Sequence, residues 1–236
     1  MACGAARPGE AGPGVAGPGV ARRGEAWPGG AWRGEARQGK GFKPKQGERM
    51  FEAHADIESL SPYSQSKVIT TRKKDKETHE DHEKRVWRER LHTNEKGEVF
   101  IPPTAFKNNL SEAAKYLSIQ IPGKGKATYT KHFEAGILVV DSLILPIPRD
   151  DVQGEWVYVP SDGRRGGTTR VWKCFPLIPE WAGTVRYLIF DETITYDVFR
   201  YHLEQAGQFI GLGRFRPRNN GYYGRFKVNG VEWSER

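Results

Sequence analysis

The residues best equipped for chemistry lie near the C-terminus, in Gly211-Leu212-Gly213-Arg214-Phe215-Arg216-Pro217-Arg218-Asn219-Asn220-Gly221-Tyr222-Tyr223-Gly224-Arg225-Phe226. Gly211, Gly213, Gly221 and Gly224 leave backbone N–H groups open to close approach by a phosphate. Arg214, Arg216, Arg218 and Arg225 supply forked donors for phosphate oxygens, with Asn220 between them. Phe215, Tyr222 and Tyr223 offer faces on which bases stack. Basic and aromatic residues interleaved with glycine are what binding of a single strand requires. The competing reading is a turn with ordinary surface arginines. It needs a counter-charge, and the segment holds no acid, the last one before it being Glu204.

Three other segments fit the same chemistry. Lys107, Asn108 and Asn109 open a helix, whose N-terminus presents unpaired N–H groups and partial positive charge. The alternative there is the polar face of a plain amphipathic helix. Lys124, Lys126 and Lys131 lie in a flexible run free of acids until Glu134, and read equally as a backbone clamp or a solvated loop. Arg164 and Arg165, in the Gly-rich turn 162–167, repeat the idea weakly.

Other chemistries fit poorly. His79 and His82 are three apart, as two metal ligands on one helical face would be, but no third ligand cluster accompanies them. Ser61 and Ser161 lack a nucleophile-elbow context. The glycine run matches neither a P-loop nor a dinucleotide fingerprint. Asp141, Asp150 and Asp151 are not spaced as a glycosidase pair. The expectation is a binding protein without a cofactor, not an enzyme.

These residues need elements to hold them. Residues 1–49 are crowded with Gly, Pro, Ala and Arg, too poor in large apolar side chains to offset the entropy of ordering. They read as a disordered tail, either a basic arm or upstream sequence translated ahead of a start at Met50. The tail holds nine Lys/Arg against four Glu, so +5 of the net +8 belongs to it and +3 remains for residues 50–236. Charge alone is therefore weak evidence for nucleic acid, and its placement matters more. Two cysteines, Cys3 and Cys174, build no disulfide framework and suit a reducing compartment. No apolar run approaches the ~20 residues of a membrane span.

Within 50–236, strands are expected at Phe51–Leu60, 99–101, 136–147, 155–159, 170–177, 183–190 and 222–231. One helix follows a Thr104 cap with Phe106, Leu110, Ala113, Ala114 and Leu117 at helical spacing. A second follows Thr195, with Val198, Phe199, Leu203 and Ala206 on one face. The polar stretch 67–97 reads as an insertion standing off the core, with a charged helix near Glu80 to Leu91. Without insertions the order is strand, helix, strand, strand, helix, strand. The expected fold is α+β, a ferredoxin-like βαββαβ (RRM-like) sheet with one face free for RNA.

The run Ile101-Pro102-Pro103-Thr104-Ala105-Phe106-Lys107-Asn108-Asn109-Leu110 resembles the helix entry of the RAMP superfamily, which includes the crRNA-binding backbone subunits of CRISPR surveillance complexes. The loop Gly211 to Gly224 is similar to that family's glycine-rich loop before the last strand. The resemblance implies that Lys107 and Gly211, Gly213, Gly221 and Gly224 meet an RNA backbone, and that 67–97 is a thumb. It also implies a thumb aspartate, Asp75 or Asp81, if the chain cleaves RNA. Pro103 and the Asn108-Asn109 pair depart from the family pattern. From about Glu80 onward the chain also resembles uncharacterised phage and prophage proteins. The function implied is binding of single-stranded RNA or DNA, with homo-oligomers along the strand, in the cytoplasm of a prokaryotic host or phage-infected cell. A phage assembly protein without a nucleic-acid role and a metal-independent ribonuclease are the alternatives.

Overall fold

The computed structural model describes residues 49–161 and 168–236. The reading of the tail, apart from Arg49, and of Arg164 and Arg165 lies outside the described residues.

The described residues open with β1 (Phe51–Ser59) and the short β2 (Tyr63–Ser64). The insertion follows, carrying α1 (His79–Val86) and a 3-10 turn, Trp87–Arg90. Then come β3 (Glu98–Ile101), α2 (Pro103–Leu117) and α3 (Thr130–Ala135). The apolar run expected as one strand is two, β4 (Ile137–Val139) and β5 (Leu143–Pro148), which join different sheets. After β6 (Gln153–Pro160) and β7 (Arg170–Ile178) come β8 (Ala182–Ile189), α4 (Tyr196–Gln205) and β9 (Phe226–Glu235). The last strand therefore starts four residues later than its sequence pattern indicated, because the Gly-rich segment continues to Arg225.

The main sheet has the order β4-β8-β1-β9, and each neighbouring pair is antiparallel. In chain order α2 falls between β1 and β4, and α4 between β8 and β9. Alternation sends Ala53, Ala55 and Ile57 of β1 and Val185, Tyr187 and Ile189 of β8 into the core. Small residues on β1 leave room for the rings of α4. Phe199 packs edge-on against Tyr187 and tilted against Trp233. Phe106, Leu110, Ala113 and Ala114 form the buried face of α2 at the spacing the sequence shows. Pro103 occupies the first turn, where its missing N–H costs nothing, so the helix begins ahead of the expected Thr104 cap.

The opposite sheet face does not meet the expectation of a base-binding surface. Its strand positions include Glu52, His54, Asp56, Glu58, Arg186, Leu188 and Glu232, with no Phe, Tyr or Trp among these. Glu52 takes Arg186 at 3.5 Å and Arg236 at 2.8 Å, and Glu58 takes Lys227 at 3.0 Å. Acids paired with their own cations leave little free positive charge for phosphate, and these positions offer little stacking surface.

A second sheet, β2-β7-β6, is built largely from the β6–β7 hairpin. The insertion docks on it and does not stand off. Val86, Trp87 and Leu91 are buried, and the buried Glu83 accepts from Arg90 Nη2 at 2.7 Å and from the Cys174 N–H at 2.9 Å. Arg90 Nε in turn donates to Cys174 O at 3.0 Å. This charge pair is desolvated, but every exchange within it has hydrogen-bond geometry, which is the condition for tolerating it.

Candidate nucleic-acid interface

A π-helical turn, Ala206–Ile210, extends α4 and delivers the chain into the Gly-rich loop. The loop folds on itself. Leu212 N–H donates to Gly224 O at 2.9 Å, and Tyr223 N–H to Phe215 O at 3.1 Å. It is pinned to the start of the second sheet by Arg214 N–H to Ser64 O and Gly224 N–H to Pro62 O. Gly224 has φ +76°, and a Cβ there would lie 2.0 Å from Leu212 O. At Gly221 a Cβ would meet Phe215 O at 1.8 Å. These glycines are required by backbone packed on backbone, a role different from openness to phosphate.

The arginines separate into two kinds. The Arg214 side chain is 7% exposed and pairs with Glu155 Oε2 at 2.6 Å. Its guanidinium lies 3.8 Å from the Phe175 ring centroid, and burial pulls its pKa down. Tyr223 O–H donates to the other Glu155 oxygen at 2.5 Å, and burial followed by that bond pushes its hydroxyl up to about 12. Arg214 and Tyr223 therefore build the loop from inside. Arg218 is exposed and Arg216 partly buried, and they share one carboxylate, Glu112 of α2, at 3.4 and 2.7 Å. Arg225 Nε donates to Gln208 O at 3.2 Å. The counter-charges are thus Glu112 and Glu155, which lie on other elements. Among the loop aromatics, Phe215 is 52% and Tyr222 60% exposed. Beside them on α2 and the π-turn, Tyr116 and Phe209 are also exposed, with centroids 5.9 Å apart, and Arg218 lies 5.4 Å from the Tyr116 ring. Asn220 is exposed in a left-handed conformation, φ 59°.

The helix entry is placed differently from its sequence reading. Lys107 Nζ donates to Phe133 O at 2.5 Å, Glu134 O at 2.9 Å and Ser111 Oγ at 3.0 Å. It caps the last turn of α3, and burial lowers its pKa. Asn109 is fully buried, and its Nδ2 donates to Ala206 O at 3.1 Å and Gly211 O at 2.9 Å. It clamps the entry of the Gly-rich loop. Asn108 alone of the three is exposed. Lys124, Lys126 and Lys131 are exposed around α3, and Lys124 Nζ reaches Thr193 Oγ1 at 3.5 Å. Among the described residues none of their hydrogen bonds reaches the Gly-rich loop.

Where the α2 N-terminus faces the loop there is a cleft of about 300 Å³, lined by Gln65, His92, Pro102, Ala105 and Gly213 among others. Pro102 offers no side-chain cap to the helix. Gln65 spans the cleft wall, donating to Phe100 O at 2.7 Å and accepting from His92 N–H at 2.6 Å. Burial, then the Lys67 charge, lowers the His92 pKa, so the imidazole is neutral near pH 7. Gln65 and His92 carried no local sequence signal. Nor did the exposed aromatic side of the β6–β7 hairpin, Trp156, Tyr158 and Trp172, although cross-strand alternation marks it once the register is known.

Of the two acids considered for nuclease chemistry, Asp81 has a structural role. Asp81 N–H donates to Thr78 Oγ1 at 3.1 Å, and Thr78 Oγ1 donates to Asp81 Oδ2 at 2.6 Å, closing the N-terminus of α1. His82 meets Thr71 O at 2.9 Å. Among the described residues no group of three or more His, Cys, Asp or Glu could hold a metal ion, and no helix is long and apolar enough to cross a membrane.

No family model matches the chain, and no curated protein does. The similarity to solved structures is distant. A chain of the type III-B Cmr-beta complex bound to cognate target RNA is similar at 10% identity and a TM-score of 0.44, over 78% of this chain and 61% of that one. A chain of a CRISPR RNA-guided surveillance complex is similar at 8% identity and a TM-score of 0.32, over 77% of this chain and 67% of that one. The chain thus spans about three fifths of the Cmr-beta chain.

Proposed function

We propose that this protein binds single-stranded nucleic acid along the outer rim of the Gly-rich loop. The β4-β8-β1-β9 order with its two helices supports reading the main sheet as a ferredoxin-like βαββαβ unit, with the RAMP-like loop leading into its last strand. The observation that carries the function is the pairing of exposed rings with under-neutralised arginines. Phe215 and Tyr222, more than half exposed, flank in sequence Arg216 and Arg218, which share a single carboxylate. Stacking faces next to net positive charge are what a single strand needs. The rim comprises Phe215, Arg216, Arg218, Asn220 and Tyr222, with Tyr116 and Phe209 alongside. Arg214, Tyr223, Lys107 and Asn109 shape it, and Lys124, Lys126 and Lys131 extend positive charge elsewhere on the surface. The reading is of a binding protein without catalysis or cofactor.

The first test is purification of the full chain under native conditions. The expected result is an absorbance ratio showing bound nucleic acid, removed by high salt. A nucleic-acid-free protein that also ignores short oligonucleotides at low salt would favour an assembly role.

A further inference from the structure

We propose that a small basic cleft beside the insertion, lined by Lys67, Arg88 and Arg149 with the hydroxyls of Thr70 and Thr93, holds one phosphodiester of the bound strand. The inference rests on the reading above for the nature of its ligand. The cleft measures about 180 Å³, below the roughly 300 Å³ at which pockets for drug-sized molecules begin. It suits a phosphate group, not a nucleoside. Three cations line it against one acid, Glu89, whose Oε1 already accepts from Thr71 Oγ1 at 2.7 Å.

The arginines are held in place before any ligand arrives. Arg88 Nη2 donates to Asp150 O at 3.2 Å, and its guanidinium lies 4.2 Å from the Trp87 ring centroid. The backbone N–H of Arg149 donates to Gly97 O at 3.0 Å. Yet the Nε atoms of Arg88 and Arg149 are both buried, and among the described residues neither has a hydrogen-bond partner. A buried donor without an acceptor is costly, and an unplaced ion or water is its usual explanation. Both arginines line one cleft with Lys67 beside them, so an anion there would meet concentrated positive charge. Phosphate supplies several acceptor oxygens in the geometry that guanidinium forks match.

Continuity points to a phosphodiester. The segments 65–67 and 91–93 line both this cleft and the one at the α2 N-terminus. They are tied by Lys67 N–H to Arg90 O at 3.1 Å and His92 N–H to Gln65 Oε1 at 2.6 Å. A strand leaving the Gly-rich loop across this ridge meets a second phosphate position at Lys67 and Arg149.

The test follows the Arg88 and Arg149 Nε–Hε resonances in the full chain while short oligouridylate or inorganic phosphate is added, with oligonucleotide binding measured in parallel by fluorescence anisotropy. Oligouridylate should move both resonances. Arg149→Gln and, separately, Lys67→Gln should keep the parental melting temperature and make the slope of log affinity against log salt shallower by about 0.7. Movement with inorganic phosphate but not with oligouridylate overturns the phosphodiester assignment in favour of a free anion. Tight oligouridylate binding with both resonances still overturns this cleft and leaves the proposed function standing. Absence of oligouridylate binding together with silence toward phosphate overturns both.

Discussion

At the scale of single residues, arginines close together in sequence divide by what lies across from them in space. Arg214 is a buried strut between Glu155 and Phe175, whereas Arg218 shares Glu112 at the surface. Arg214→Gln should cost about 3 kcal/mol in urea unfolding, the lower end for a broken buried pair because Glu155 remains partly solvated. Arg218→Gln should stay within about 0.5 kcal/mol of the parent. Equal effects would contradict this division. His202 gives a second residue-scale prediction. It is buried, stacked on Phe133 with centroids 4.3 Å apart, and its Nε2 has no partner among the described residues. Burial lowers its pKa. The unfolded chain therefore binds the proton more readily, and stability is lost as pH falls from about 6.5 toward the depressed folded value. His202→Phe should flatten the melting temperature between neutral pH and pH 5. An unchanged slope would assign that acid sensitivity to another group. Asp191 acts in a lower window. Burial alone would raise it, but the bonds from His132 at 2.5 Å and from Thr193 hold it below the usual carboxylate range, so its contribution is lost only in stronger acid.

At the scale of elements, the parts legible in the sequence were those set by local pattern. The buried face of α2 was legible, as was the α4 face, because helical periodicity is written in consecutive residues. The split of 136–147 was not. The apolar run continues on both sides of Asp141-Ser142, and that polar pair marks a break only once β4 is seen to pair with β8 and β5 with β3. The docking of the insertion was also hidden, since Glu83 and Arg90 look like ordinary surface charges until Cys174 is brought beneath them. Lys107 and Asn109 were visible as polar residues at a helix entry, but their backbone acceptors lie 26 to 102 residues downstream. Sequence spacing carries no trace of such partners. Asn109→Ala should therefore act on an element distant in sequence. It should cost about 1–3 kcal/mol for the orphaned carbonyls and speed hydrogen exchange of the Leu212 and Tyr223 amides. Unaltered exchange there would show that the loop holds its shape without the clamp.

At the scale of the whole molecule, charge is segregated by surface. The open face of the main sheet carries cross-linked acids, while the loop rim and the cleft at Lys67 carry excess cations. Net charge could not reveal this, because the +3 of residues 50–236 averages over both surfaces. The segregation makes the direction of the salt effect a property of one surface. The most direct test is a salt titration of oligouridylate binding by the full chain and by two double variants, with melting temperatures checked. Arg216→Gln with Arg218→Gln should weaken binding and make the slope of log affinity against log salt shallower by up to about 0.7 per lost phosphate contact. Phe215→Ala with Tyr222→Ala should cost about 1–3 kcal/mol per stacked base and leave the slope nearly unchanged. If both variants fold and bind as the parent does, with the same salt slope, the loop rim is not the binding surface.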